Sequence, residues 1–276
     1  MKPHQAPITT IKHPEWHPQR LPEFDARMAV ESAALLQQLQ TDSVYRRACL
    51  DDPRLLHRRL YAPFAPPTHP EYAGAYRGAP GTSLALRIMG GPSVMFEGQT
   101  FNFMEPETVR PAMEGLIETV RERIDTLRQP WDQLVTLSHL FSQFGFIHPF
   151  LDGNGHVQRS LFAAAALEMN LPLSNRFAIH PRSYDFLLAH ALENYSRRPD
   201  RRPQWLSAVA EYIVQWLDGP FDAPGMGMAP LSSTRSGVTF DLPRPSPPLR
   251  RAPSTASVRH GPRPRGRDPS RPEALP

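Results

Sequence analysis

A twelve-residue run just past the middle of the chain, His148-Pro-Phe-Leu-Asp-Gly-Asn-Gly-His-Val-Gln-Arg159, gathers a base, an acid, a flexible turn and a cation. His148 carries an imidazole able to take a proton near neutral pH. Asp152 is a hard oxygen ligand of the kind that holds Mg²⁺ against phosphate oxygens. Gly153 and Gly155 admit positive φ and let the backbone approach an anion, and Asn154 tolerates the same conformations. A helix that starts after such a turn points its first N–H groups at an anion. Arg159 falls in the first turns of that helix, where a cation opposes the helix dipole unless a polyphosphate is bound. Base, metal ligand, anion cradle and cation in this order indicate transfer of a phosphorus-containing group to a hydroxyl. Taken singly, each has an ordinary structural use: a histidine ending a buried helix, a Gly-Asn-Gly turn, a solvated arginine. His148, Asp152 and His156 are spaced i, i+4, i+8, but a transition-metal face would need one continuous helix, and the glycines between them argue against it.

The elements around this run follow from periodicity and punctuation. Residues 131–147 place Trp131, Leu134, Val135, Phe141 and Phe144 on one face of a helix. Pro149 disfavours helical geometry at His148, and Gly153 and Gly155 predict a loop. Val157, Leu161, Ala164 and Ala165 restart helical spacing to about residue 169. Pro106 and flanking acids open a helix over 105–127. Residues 84–89 and 94–96, around Gly90-Gly91-Pro92, read as a β-hairpin. Residues 22–60 are helical in pattern, with Asp25 as candidate cap, and 61–76 form a proline-punctuated connection. Further helices are expected at 181–195 and 204–217.

The chain has 276 residues, 40% of them apolar, and a formal charge of +4. Much of the arginine lies beyond Gly219, where Pro, Ser, Arg and Gly dominate and predict a disordered tail. Pro245–Arg250 fits a PxxPx[R/K] pattern, which a segment of this composition yields by chance. With the basic charge concentrated in the tail, solubility is the expected role and nucleic acid is not the expected partner; a nucleic-acid binder using the arginine tail stands as a third reading. The one cysteine, Cys49, excludes an internal disulfide and fits a reducing compartment. The first residues show no apolar run of a secretory signal, and the longest apolar stretch, 161–167, is too short to span a bilayer. A cytoplasmic protein without membrane association is expected, with delivery as an effector left open.

HPFLDGNGHVQR resembles the signature of the Fic (Fido-domain) family, HPFx[D/E]GNGRxxR, at every defined position except one. The resemblance implies an all-α fold: a Fic-type helical bundle with a small β-hairpin flap over 65–217. An N-terminal extension with a helix (1–64) precedes it and the tail (218–276) follows. Proteins of this family transfer AMP from ATP to a Ser, Thr or Tyr hydroxyl of a target protein, with Mg²⁺ and release of pyrophosphate. Some relatives transfer UMP, phosphate or phosphocholine. The resemblance makes His148 the base, Asp152 the Mg²⁺ ligand, and Gly153, Asn154 and Gly155 the anion hole. Arg159 would hold the γ-phosphate and Phe150 would anchor the loop. The flap would pair with an extended target segment. His156 stands where the family has its first arginine. An imidazole is shorter and mostly neutral at pH 7, which implies a weaker or pH-dependent phosphate grip. The rival reading is a weakly active or inactive Fic-fold binding module. Many members also carry an inhibitory helix with the pattern [S/T]xxxE[G/N]. Ser93 to Gly98 fits its letters but lies in the expected flap, an accidental match. The chain is then either uninhibited in cis or inhibited by an antitoxin-like partner in trans.

Overall fold

Proline sets the start of the two helices that frame the motif. Pro106 opens α4 (Pro106–Thr126) and Pro130 opens α5 (Pro130–Ile147). At a first helical position the missing N–H costs nothing and φ is already correct. The computed structural model describes residues 16–181 and 186–218. Among them the other helices are α1 (Phe24–Thr41), α2 (Ser43–Asp51), α3 (Arg54–Tyr61), α6 (Asn154–Glu168), α7 (Phe186–Arg197) and α8 (Arg202–Ile213). Two short antiparallel strands, β1 (Gly90–Pro92) and β2 (Thr100–Asn102), pair with Gly91 opposite Phe101. The described residues are all-α with this one small hairpin. No helix of the described residues is long and apolar enough to cross a membrane.

The helix that follows the motif turn is the centre of the core. Every residue of α6 from Asn154 to Ala166 is buried, and α1, α2, α3, α4 and α5 all pack on it. A helix enclosed on all sides needs small residues where its neighbours come closest, and Ala163–Ala166 supply them. Residues 16–64 contribute Met28, Leu35, Leu39, Leu56, Leu60 and Tyr61 to the same core, all 1% exposed or less.

Several local expectations are corrected. The helical pattern of 22–60 divides into three helices. Asp42 breaks it by capping α2, accepting the Tyr45 N–H at 2.9 Å, and Pro53 starts α3. Asp25 lies inside the first turn of α1, whose cap position is Glu23. The motif loop ends at Gly153. Asn154 and Gly155 already belong to α6, because the Asn154 amide grips Phe150 on both sides: Oδ1 accepts its N–H (2.8 Å) and Nδ2 donates to its carbonyl (2.7 Å).

The hairpin register is also shifted. The predicted turn Gly90–Pro92 is a strand, and its partner is Thr100–Asn102 rather than residues 94–96. The reason lies a hundred residues away. The Val94 N–H and the Ser93 hydroxyl donate to the carboxylate of Glu193 on α7, and the N–H groups of Met95 and Phe96 donate to Ser93 Oγ. Those donors are then lost to a strand ladder, and residues 93–99 form the turn, closed by the Ser93 N–H on the Gln99 carbonyl. The Ser93–Gly98 pattern thus sits in a turn, not a helix. The expectations for residues 1–15 and for the tail beyond 218, including Pro245–Arg250, lie outside the described residues.

Candidate active site

α5 stops at His148, which takes the left-handed conformation (φ 50°, ψ 61°) while its N–H still bonds the Phe144 carbonyl at 2.9 Å. Non-glycine residues seldom occupy that region, and here it turns the chain out of the helix one residue before Pro149. The His148 imidazole lies flat on the ring of Phe103, just after β2, at 3.7 Å between centroids and 9° between planes. The continuous helix that a His148–Asp152–His156 metal face requires is therefore interrupted.

The next residues are pinned from below. Phe150 is fully buried and stacks on His57 of α3 at 4.0 Å. His57 Nε2–H donates to the Asp152 carbonyl at 3.0 Å, and Nδ1 accepts the Gly74 N–H at 2.8 Å. These two bonds fix the neutral tautomer, and burial pushes the His57 pKa down to about 3. The Asp152 carboxylate accepts the Gly153 N–H at 2.5 Å. Gly153 has φ +76°, and a Cβ there would lie 2.4 Å from the Tyr61 ring. Only glycine meets both conditions.

α6 begins immediately after this turn. Among the described residues the N–H groups of Asn154 and Gly155 donate to no carbonyl, as expected for the first turn of a helix. Both residues line a cavity of about 670 Å³, within the range of small-molecule sites. His148, Asp152, Gly153, Asn154, Gly155 and His156 all line it. A second cavity, of about 560 Å³, lies among Asp51, Arg54, Tyr76 and Arg121 and holds none of these residues.

His156 is drawn into a polar chain along the cavity wall. Its Nδ1 lies 2.7 Å from Tyr61 Oη and its Nε2 lies 3.1 Å from His180 Nδ1. His180 Nε2 is 3.9 Å from the Asp25 carboxylate. One proton arrangement suits all of these contacts. Tyr61 donates to His156, His156 donates to His180, and the remaining His180 N–H points toward Asp25. Arg159 is not brought to the cavity. The residue is 7% exposed, and its guanidinium donates to the Ala178 carbonyl at 3.0 Å and lies over the Trp216 ring at 4.5 Å. The motif thus splits: six of the seven predicted site residues meet around one space and the seventh is held behind it.

Residues 48–166 match the Fic/DOC family. The chain carries a Fic/DOC-family domain. No curated protein matches the chain. The matched segment runs from the end of α2 to within α6, so it contains the hairpin, His148 and Tyr61 but neither Asp25 nor His180. Those two cavity residues, with Arg87 at the foot of the hairpin, were not singled out by sequence reasoning as site residues. His180 has no local signal beyond a following proline. Arg87 does carry one, since it is an isolated cation between Leu86 and Ile88 in an apolar strand-like run. In the structure those two leucine and isoleucine side chains are 88% and 65% exposed, whereas Arg87 lines the cavity of the Fic/DOC domain.

Asp152 is the one motif carboxylate in that cavity. Among the described residues no three His, Cys, Asp or Glu side chains group to hold a metal. Mg²⁺ keeps several waters and binds through one or two carboxylates plus substrate phosphates. A single aspartate beside an anion-binding helix end fits that donor set, and does not suit an ion caged by protein alone.

Proposed function

We propose that this Fic/DOC-family transferase is a protein nucleotidyltransferase that moves AMP from ATP to a Ser, Thr or Tyr hydroxyl of a target protein. The observation that carries the reading is the convergence of His148, Asp152 and the α6 N-terminus on one cavity. In this reading His148 accepts the hydroxyl proton as the hydroxyl oxygen attacks the α-phosphorus of ATP. The bond from that phosphorus to the oxygen bridging it to the β-phosphate breaks, and pyrophosphate leaves. Phe103, flat against the imidazole, restrains its tilt and so holds the proton acceptor in one plane. The Asn154 and Gly155 N–H groups, at the positive end of α6, receive phosphate oxygens. Asp152 would hold Mg²⁺, which when bound supplies positive charge to the departing pyrophosphate. The target segment would lie along the hairpin, whose exposed Leu86 and Ile88 offer apolar contact beside the cavity mouth.

A second reading has a specific support. The His156 and Arg159 side chains both bond within the protein, so neither presents a fixed cation to a triphosphate. That favours either a weakly active module or a donor carrying less phosphate charge. Intact-mass analysis separates the readings. The purified protein is incubated with each nucleoside triphosphate and Mg²⁺, alone and with candidate targets, beside His148→Ala. An adduct of one nucleoside monophosphate that disappears in His148→Ala supports transfer and identifies the donor. Absence of both adduct and nucleotide binding favours the module.

A further inference from the structure

We propose that Arg77 is the positioning residue that sets the His148 imidazole and the hairpin as one rigid unit. This rests on His148 being the base of the proposed transfer, and adds to it what fixes that base relative to the target-facing flap. Arg77 precedes the hairpin in sequence and is 0% exposed. Its Nε–H donates to the His148 carbonyl at 2.8 Å. Nη2 donates to the Ile147 and Met104 carbonyls, each at 3.0 Å, and Nη1 to the Arg87 carbonyl at 2.9 Å. Its own main-chain N–H donates to the Pro149 carbonyl at 2.8 Å. One residue therefore holds three consecutive carbonyls at the end of α5 and the foot of the hairpin on each side, Arg87 before β1 and Met104 after β2.

The chemistry explains why an arginine is there. A helix end leaves carbonyls without partners, and a left-handed residue at His148 aims them away from the helix axis. Only a planar fork with five N–H donors can satisfy carbonyls from three chain segments at once. Burial pushes the Arg77 pKa down only to about 10, so the fork stays charged at neutral pH. Charge-assisted bonds to main chain fix backbone position, which an ion pair between two side chains would not. The coupling reaches the imidazole directly. Met104, held through its carbonyl, follows Phe103, and Phe103 is the ring on which His148 stacks. The hairpin tip has a separate hold, through Ser93 and Val94 on Glu193, which also accepts Arg197 Nε–H at 2.6 Å. Feet and tip are thus tied to different helices, and only the feet share a residue with the base.

The test reads the stacking itself. The His148 ring-proton NMR signals, assigned by their loss in His148→Gln, should be displaced upfield by the Phe103 ring in the wild-type protein. Arg77→Lys keeps the charge, but its compact head cannot span four carbonyls. The expected result is a cooperatively melting protein whose His148 signals move toward unstacked values. Its transfer rate at saturating donor falls on the order of 100-fold with little change in donor KM. Unmoved His148 signals in a folded Arg77→Lys protein overturn the proposal. Should Arg77→Lys not fold, Glu193→Gln decides. It releases the tip and leaves the feet, so the His148 signals should stay; movement there means that the tip holds the histidine, and the proposal fails. The NMR readout needs no nucleotide or target. Absence of transfer in wild-type protein with the expected shifts would remove the transferase reading alone.

Discussion

Residues 148–154 and residues 156–159 belong to one signature, yet they are held in opposite ways. In the first stretch, side chains fix main-chain groups: Arg77 and His57 from elsewhere, Asn154 and Asp152 from within it, and the His148 ring and the Asp152 carboxylate line the cavity. In the second stretch the side chains themselves are engaged, His156 with Tyr61 and His180, Arg159 with Ala178 and Trp216. The base and the anion turn are thus preorganised, while the two basic positions must give up internal partners before they can grip a phosphate. Preorganised groups contribute most to catalysis because no reorganisation is needed during reaction.

The largest effect should come from removing the base. His148→Ala is expected to lower transfer by about 10²–10⁴-fold, the range for a general base. His148 is not a core side chain, so thermal stability should change little. Next is the turn. Gly153→Ala meets the Tyr61 ring and a positive φ together, and should cost about 2–4 kcal/mol of stability in urea unfolding. A neutral result would mean that Tyr61 yields easily, and the first stretch would be less fixed than its bonds suggest.

Acid should loosen the support of this stretch through His57, and separately the middle of α5 through His139. His57 is buried and His139 half-buried, both as neutral imidazoles; loss of hydration is the leading cause, and their pKa values fall to about 3 and about 4 from 6.5. Between pH 6.5 and about 4 the unfolded chain binds more protons than the folded one at these two positions. Stability is therefore intact above 6.5 and declines as pH falls, by about 1.4 kcal/mol per unit for His57 and by less for the half-buried His139. Urea midpoints from pH 7 to 5 check the slope, and His139→Leu should remove part of it.

The smallest effect sharpens the second stretch. His156→Arg places a permanent cation at the cavity and breaks the links to Tyr61 and His180. Titration calorimetry at pH 8 should show nucleoside triphosphate binding about tenfold tighter, with about 1 kcal/mol lost in stability. Unchanged affinity would mean that the phosphate site does not reach this position.

The sequence made some of this legible because its signals are local. Pro106 and Pro130 mark their helices, Pro149 marks the break at His148, and the motif announces the turn. What stayed illegible depends on partners distant in sequence. Glu193 moves the hairpin register from a hundred residues away. His180 completes the chain from His156 across twenty-four residues, and Arg77 reads as an ordinary surface cation until the fold encloses it. The inversion at Leu86-Arg87-Ile88 defeats alternation for a related reason: the cavity, not the core, lies on the polar side. Periodicity reports burial, and it does not distinguish a core from a binding space.

Cys49 carries a practical consequence. It is the only cysteine in the chain, it is buried, and burial pushes its thiol pKa up to about 11. Thiol reagents act on the thiolate, so the folded protein should resist alkylation at pH 7 without any mutation. A cysteine engineered at the exposed Leu86 would then be the single labelling position. A fluorophore or spin label there could report hairpin movement in the otherwise native chain, and delayed modification of Cys49 would serve as an internal clock for unfolding.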